Sequence, residues 1–284
     1  MLKRTITGAI YVAIITGFFF LRNYVDFRLF DILTFIFCAV GTFEVARAIK
    51  SRLYSGNFAL SLIFGALYVP LFCVFEYLTA FRGAYACLIF AGISVIYQAV
   101  LTVIKKSDFS GFKVNVLPFL YPSVLLLTLL AANGLKSGFI CLLLIFVISP
   151  CSDTFAYLVG MIYNKIRKGK AKKMCPRLSP KKTWAGAIGG IFGGVIGAIV
   201  IYFIVDKTDL LAVAKINVFL AFIIIGAVAS VLTEIGDLFE SYIKRKVGIK
   251  DMGKIMPGHG GVMDRIDGMS FAAVFIYFMF ILLL

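Results

Sequence analysis

His259 is the sole histidine in 284 residues, and no cysteine stands beside it. A zinc centre is therefore not expected, since zinc favours clustered His and Cys ligands. The six cysteines, at 38, 73, 87, 141, 151 and 175, show no CxxC spacing and lie mostly in apolar runs. They read as small core residues, and neither a disulfide framework nor a metal framework can be built from them. No GxxxxGK[ST] and no GxGxxG after a strand occurs, so any nucleotide must be held by another device. Charge is scarce too, at 15% of residues, and acids number 14 against 29 Lys and Arg.

Apolar side chains fill the space. A 61% hydrophobic composition and a mean hydropathy of +1.00 lie outside the soluble globular range and predict an all-α polytopic membrane protein. Runs long enough to cross a bilayer, about 17–25 residues each, fall near 5–21, 29–46, 58–80, 84–104, 116–133, 138–162, 184–205, 216–236 and 269–284. The first is preceded by Lys3 and Arg4, but "FFFLRNYVDF" offers no small-residue cleavage site, so a retained helix is expected. Cytoplasmic segments collect Lys and Arg. With the N-terminus inside and nine spans, 23 of the 29 bases fall on the inner side, and the C-terminus lies outside. The net charge of +15 is then a feature of the inner face, suited to anionic membrane lipid. No nucleic acid is expected as a partner.

The chain reads as a single membrane domain, 1–284. An N-terminal helical scaffold, 1–137, precedes a catalytic part, 138–284, that carries two inner-face loops, 163–183 and 237–268. In the scaffold Asp31, Glu44 and Glu76 are isolated near helix ends and read as structural. "GAIGGIFGGVIGA", 186–198, strips two adjacent helix faces of side chains and reads as close packing.

Three stretches carry chemistry. In "LTEIGDLFESYIKRK", 232–246, Glu234, Asp237, Ser241 and Lys244 or Arg245 recur every three or four residues and share one helix face, with acid at membrane depth and base beyond it. Next, glycines 248, 253, 258, 260 and 261 with Pro257 describe a loop whose backbone can approach a ligand. Asp264 and Asp267 follow it one helical turn apart. With Asp237 they supply three hard oxygen ligands, a set that suits magnesium beside phosphate. Finally, Ser152 and Asp153 follow Pro150 in the sixth span, where freed carbonyls favour a cavity. Ser179, Lys181, Lys182 and Thr183 open the seventh helix as an anion-binding terminus.

"SYIKRKVGIKDMGKIMPGHGGVMDRID", 241–267, resembles the signature of the phosphatidate cytidylyltransferase (CDP-diacylglycerol synthase) family: Ser241, Lys244, Arg245, Lys250, Asp251, Gly253, Pro257, His259, Gly260, Gly261, Asp264, Arg265 and Asp267 stand where it asks. Met256 departs from it, replacing the usual Leu, Ile or Phe. "SDTFAYLVG" and "SPKKTWAGAIGG" are similar to the family's other blocks, and the first 150 residues match in span count only. The resemblance implies CTP and phosphatidate as substrates, CDP-diacylglycerol and diphosphate as products, and an active site facing the cytoplasm from an inner or plasma membrane. It implies magnesium on Asp237 and Asp264, a second cation being left open, with Asp267 a ligand or the orienter of Arg265 or of a metal-bound water. Catalytic roles then fall to Lys244, Arg245 and His259, and phosphate contacts to Lys250, Asp251, Gly260, Gly261 and Arg265. His259 is expected to shape the loop or touch phosphate, because the attacking phosphate is already ionised. The oligomeric state stays open, a homodimer included. The rivals are a CTP-dependent polyprenol or phytol kinase and a cation-coupled transporter. A CDP-alcohol phosphatidyltransferase is excluded by the absence of its DGxxAR…GxxxD…D order.

Overall fold

A computed structural model of the protein describes residues 2–50, 59–79, 82–104, 109–205, 214–258 and 260–282. Lipid offers no hydrogen-bond partners, so so apolar a chain must satisfy its backbone within its own helices. The helices are α1 (Leu2–Tyr24), α2 (Leu29–Lys50), α3 (Ala59–Leu78), α4 (Gly83–Ile104), α5 (Phe109–Phe119), α6 (Leu125–Asn133), α7 (Gly138–Ile166), α8 (Trp184–Ile204), α9 (Val218–Lys246) and α10 (Met263–Leu282). A π turn, Leu120–Val124, joins α5 to α6 around Pro122, whose missing N–H interrupts the regular ladder. A short antiparallel hairpin, β1 (Lys173–Cys175) and β2 (Ser179–Thr183), sits between α7 and α8. Among the described residues nine segments are long and apolar enough to cross a membrane, as the hydropathy predicts. Their ends differ from the apolar runs: α9 continues as helix through its charged tail to Lys246, and α10 begins at Met263, ahead of Asp264 and Asp267.

Contacts divide the chain into two compact units, Met1–Asn133 with Lys246–Arg265, and Gly134–Arg245 with Ile266–Leu284. The glycine-rich segment after α9 therefore packs with the N-terminal helices, whereas the sequence groups it with the C-terminal part.

In the first unit α2 is the central helix, with Phe30, Leu33, Phe37, Cys38 and Val45 buried among α1, α3, α5 and α6. Asp31 lies near the start of α2 and accepts hydrogen bonds from the Tyr77 hydroxyl (2.6 Å) and the Asn133 amide (2.9 Å), so this acid is satisfied locally. Glu44, near the other end, is buried as well.

In the second unit glycine sets the helix spacing. A Cβ on Gly189 would lie 2.6 Å from the Val159 Cβ, and one on Gly193 would lie 2.5 Å from the Phe155 Cβ, so α8 seats directly on α7. On the next face of α8, Gly194 meets Ser230 and Gly226 of α9. The helices α9 and α10 cross at Gly236 and Gly268. A Cβ on Gly236 would stand 2.7 Å from the Asp267 carbonyl oxygen, and one on Gly268 would stand 2.8 Å from that of Thr233. This backbone-to-backbone crossing brings together the acids adjacent to the two glycines, Asp237 after Gly236 and Asp267 before Gly268.

Candidate active site

Asp237, Glu240 and Asp267 each offer one carboxylate oxygen, and the three atoms lie within 4.8 Å of one another. Glu240 is fully buried, while Asp237 and Asp267 are half-buried. Magnesium holds its oxygens at about 2.0–2.1 Å in an octahedron, which sets opposite ligands roughly 4.2 Å apart. The trio therefore fits around one such ion with little adjustment. Two ammonium groups flank it: Lys182 bridges Glu234 and Asp237, the latter at 2.6 Å, and Lys244 pairs with Glu240 one turn along α9.

These pairs explain how so much charge is kept at the membrane. Burial alone would lower the Lys182 pKa, but the carboxylates of Asp237 and Glu234 outweigh it and hold the pKa above its ordinary value. Lys182 is therefore a cation throughout the neutral range.

Of these residues Asp237, Lys182 and Glu234 also line a cavity of about 360 Å³ bounded by α7, β1, β2, α8 and α9. Asp153, Lys173, Lys181, Lys182, Thr183, Glu234 and Asp237 form its polar wall, and Ala156, Tyr157, Met161 and Ala187 its apolar one. Its tight end follows from Gly186, where a Cβ would sit 2.8 Å from the Ala156 carbonyl oxygen. Thr183 caps α8, its hydroxyl accepting from the Gly186 N–H at 3.0 Å, so this oxygen is already engaged by the helix start. Ser179 sits at the turn end of β2, opposite Cys175. Ser152 lies against Gly190 in the α7–α8 contact, and Ser241 is buried on α9. Neither is among the cavity's lining residues. Arg245, in the last turn of α9, donates from Nε to the Leu178 carbonyl at 3.4 Å.

The remaining signature residues belong to the first unit. Lys250, Asp251, Lys254, Gly260 and Arg265 line a separate concavity of about 500 Å³. The Asp264 carboxylate accepts the N–H groups of Met252 (2.9 Å), Gly253 (3.4 Å) and Gly261 (2.7 Å), which binds the loop to the first turn of α10. Gly260 has a φ of +87°, and a Cβ there would lie 2.7 Å from the Asp264 Oδ2, so glycine is required on both counts. His259 lies outside the described residues.

Thus the structure brings Asp237 together with Asp267, and with Asp153, Lys181, Lys182 and Glu234 around the cavity. Asp264 is engaged with its own loop. Sequence reasoning missed Glu240, although its spacing of three from Asp237 was a usable signal, and Lys173, which had none.

A profile of the Cytidylyltransferase family matches residues 2–283. The chain is 33% identical over 196 residues to a phosphatidate cytidylyltransferase of Brucella abortus biovar 1 (strain 9-941), which covers 69% of this chain and 66% of that relative. Over 128 residues it is 40% identical to one from Thermotoga maritima, covering 45% and 44% of the two chains. Over 143 residues it is 38% identical to one from Mycobacterium bovis, covering 50% and 40%. The chain spans two thirds or less of the length of these curated relatives. With the profile running almost end to end through both units, this chain belongs to the Cytidylyltransferase family.

Proposed function

We propose that the protein is a CTP:phosphatidate cytidylyltransferase that makes CDP-diacylglycerol for phospholipid synthesis. The observation that carries this reading is the acid cluster of Asp237, Glu240 and Asp267, flanked by Lys182 and Lys244 and placed at the charged end of membrane-spanning helices. A water-soluble triphosphate and a lipid phosphate can meet only where membrane and cytosol touch, and a transporter has no use for Lys181 and the cationic loop around Lys250 and Arg265.

The reaction is a displacement at phosphorus. A phosphate oxygen of phosphatidate forms a bond to the α-phosphorus of CTP, the bond from that phosphorus to the α–β bridging oxygen breaks, and diphosphate departs with the electron pair. No protein nucleophile is needed, so the chain contributes position and charge. Asp237, Glu240 and Asp267 would hold a magnesium ion, which supplies charge neutralisation to phosphate oxygens. Lys182 and Lys244 keep these carboxylates oriented and compensated in the absence of substrate. In the second unit Lys181, exposed at the cavity wall, is placed to meet phosphate, and in the first unit so are Lys250 and Lys254 of the loop and Arg265 in the first turn of α10. The apolar wall of Tyr157, Met161 and Ala187 suits the lipid's glycerol and acyl portion.

Label from α-labelled CTP is expected in the lipid product, and label from the γ position is expected to stay in diphosphate. Label from γ in lipid would assign the chain to the lipid kinases, which break the other anhydride.

The 23 to 6 distribution of bases supports an inner-face site with the N-terminus inside. Lys170 is exposed in the turn between α7 and β1. In a variant without the six native cysteines, Lys170→Cys is expected to react with an impermeant thiol reagent in inverted vesicles and not in intact cells. Reaction in intact cells would overturn this orientation.

A further inference from the structure

Glu44 is one of the few acids in the N-terminal helices and is 218 residues distant from the loop it touches. It lies on α2, 2% exposed. Its Oε1 accepts the N–H of Val262 at 3.1 Å and its Oε2 accepts the N–H of Met263 at 2.8 Å, the last loop amide and the first of α10. Gly253 and Gly261 pack so closely on this carboxylate that a Cβ on either would collide with it. Both strands of the loop, 252–254 and 260–262, are thus drawn onto one buried anion. Asp264 ties the same strands together from within the loop. Buried amides need acceptors, and a helix start favours negative charge. Glu44 meets both needs, and no residue of the loop itself reaches Val262 and Met263 in this way among the described contacts.

We propose that Glu44 is a positioning residue for the phosphate-binding loop: by fixing the backbone at 253 and 261–263 it sets where Lys250, Lys254 and Arg265 present their charges. The inference rests on the cytidylyltransferase reading for its substrate and on geometry for its mechanism. Glu44 itself lines neither concavity, so its effect is transmitted through the loop backbone.

The test uses the full-length protein in detergent or vesicles, with Glu44→Gln and Glu44→Asp. Gln keeps the size but turns an N–H donor toward one of the two backbone donors, whereas Asp keeps the charge and shortens the reach. Two readouts are taken. One is amide hydrogen exchange over 250–265. The other is the separate KM values for CTP and phosphatidate. In Glu44→Gln, exchange is expected to rise within 250–265 and not elsewhere. KM for CTP should rise about tenfold or more, and KM for phosphatidate should stay within about threefold of the wild type. Glu44→Asp should recover part of both effects. Wild-type exchange and KM for CTP in Glu44→Gln would overturn the proposal. So would a Glu44→Gln protein that fails to accumulate while Glu44→Asp shows wild-type KM values, since Glu44 would then serve folding alone. A wild-type protein that binds no CTP would sink the parent reading, and the exchange comparison would still decide whether Glu44 holds the loop.

Discussion

Replacing Asp237 with Asn is expected to abolish cytidylyl transfer while leaving a protein that folds and inserts. Asn keeps the size and one acceptor oxygen, so Lys182 keeps a hydrogen-bond partner and Glu234 as its counterion. What is lost is one negative charge in a trio whose oxygens lie within 4.8 Å. Removing a residue that merely supports a metal ligand costs roughly 10- to 100-fold in affinity or activity, so removing a ligand should cost more than about 100-fold. Folding should be spared, because neutralising a carboxylate at membrane depth removes a desolvation cost. Asp267→Asn and Glu240→Gln should behave alike, with Glu240→Gln also lowering Tm because it removes the buried carboxylate that Lys244 pairs with. Asp264→Asn is expected to lose turnover by another route. Its carboxylate serves three loop amides, so amide exchange over 252–261 should rise and added magnesium should not restore activity. The measurements are turnover against magnesium concentration and Tm with and without CTP. Near-normal turnover of Asp237→Asn at ordinary magnesium would defeat the metal assignment. Recovery of Asp264→Asn by high magnesium would place that aspartate among the ligands.

The reasons some of this was legible in sequence are physical. Hydropathy reports the nine spans because lipid forces each crossing to be a continuous helix, and glycines four apart announce the α7–α8 and α8–α9 seams because close approach admits nothing larger. Glu234 and Asp237 stand out because acid at membrane depth is expensive, and Asp267 because it follows the glycine-rich loop one turn after Asp264. Their meeting was not legible, since it depends on where α9 crosses α10, and that crossing is set by Gly236 and Gly268 acting across the interface. Glu240 hid in plain spacing on the same helix. The hairpin at 173–183 has no strand signature in the sequence, because its strands are short and polar, with no apolar alternation. The role of Lys182 depended on Glu234, 52 residues later, and that of Glu44 on amides more than 200 residues away. Side-chain-to-backbone contacts of that range leave no pattern in one sequence.

Lys181→Ala and Lys182→Ala are neighbours in sequence yet are expected to fail in different ways. Lys181 is exposed at the cavity wall and makes no ion pair among the described residues, so its loss should leave Tm unchanged. One charge-assisted phosphate contact is worth about 1.5–3 kcal/mol, which predicts a rise in KM for CTP of roughly 10- to 150-fold. Lys182 compensates two carboxylates, with its own side chain 20% exposed, Glu234 10% and Asp237 33%. Its removal leaves Glu234 and Asp237 facing each other and Asp153 in one cavity, and should cost up to about 3 kcal/mol of stability. That is the low end of the range for breaking a buried pair, because Asp237 remains partly solvated. The pH dependence has a definite sign. A lysine whose pKa is raised in the folded state contributes stability that is complete below its ordinary value of 10.5 and lost only as pH climbs through the folded-state value. Between about pH 6 and 9 the ionisation of Lys182 itself therefore adds no pH dependence to stability. Adding Glu234→Gln to Lys182→Ala should recover much of the lost Tm, since it removes a charge that has lost its partner, and it should leave turnover low. Equal Tm values for the two single variants, or no recovery in the double variant, would show that Lys182 does not hold the acids and is a phosphate ligand like its neighbour.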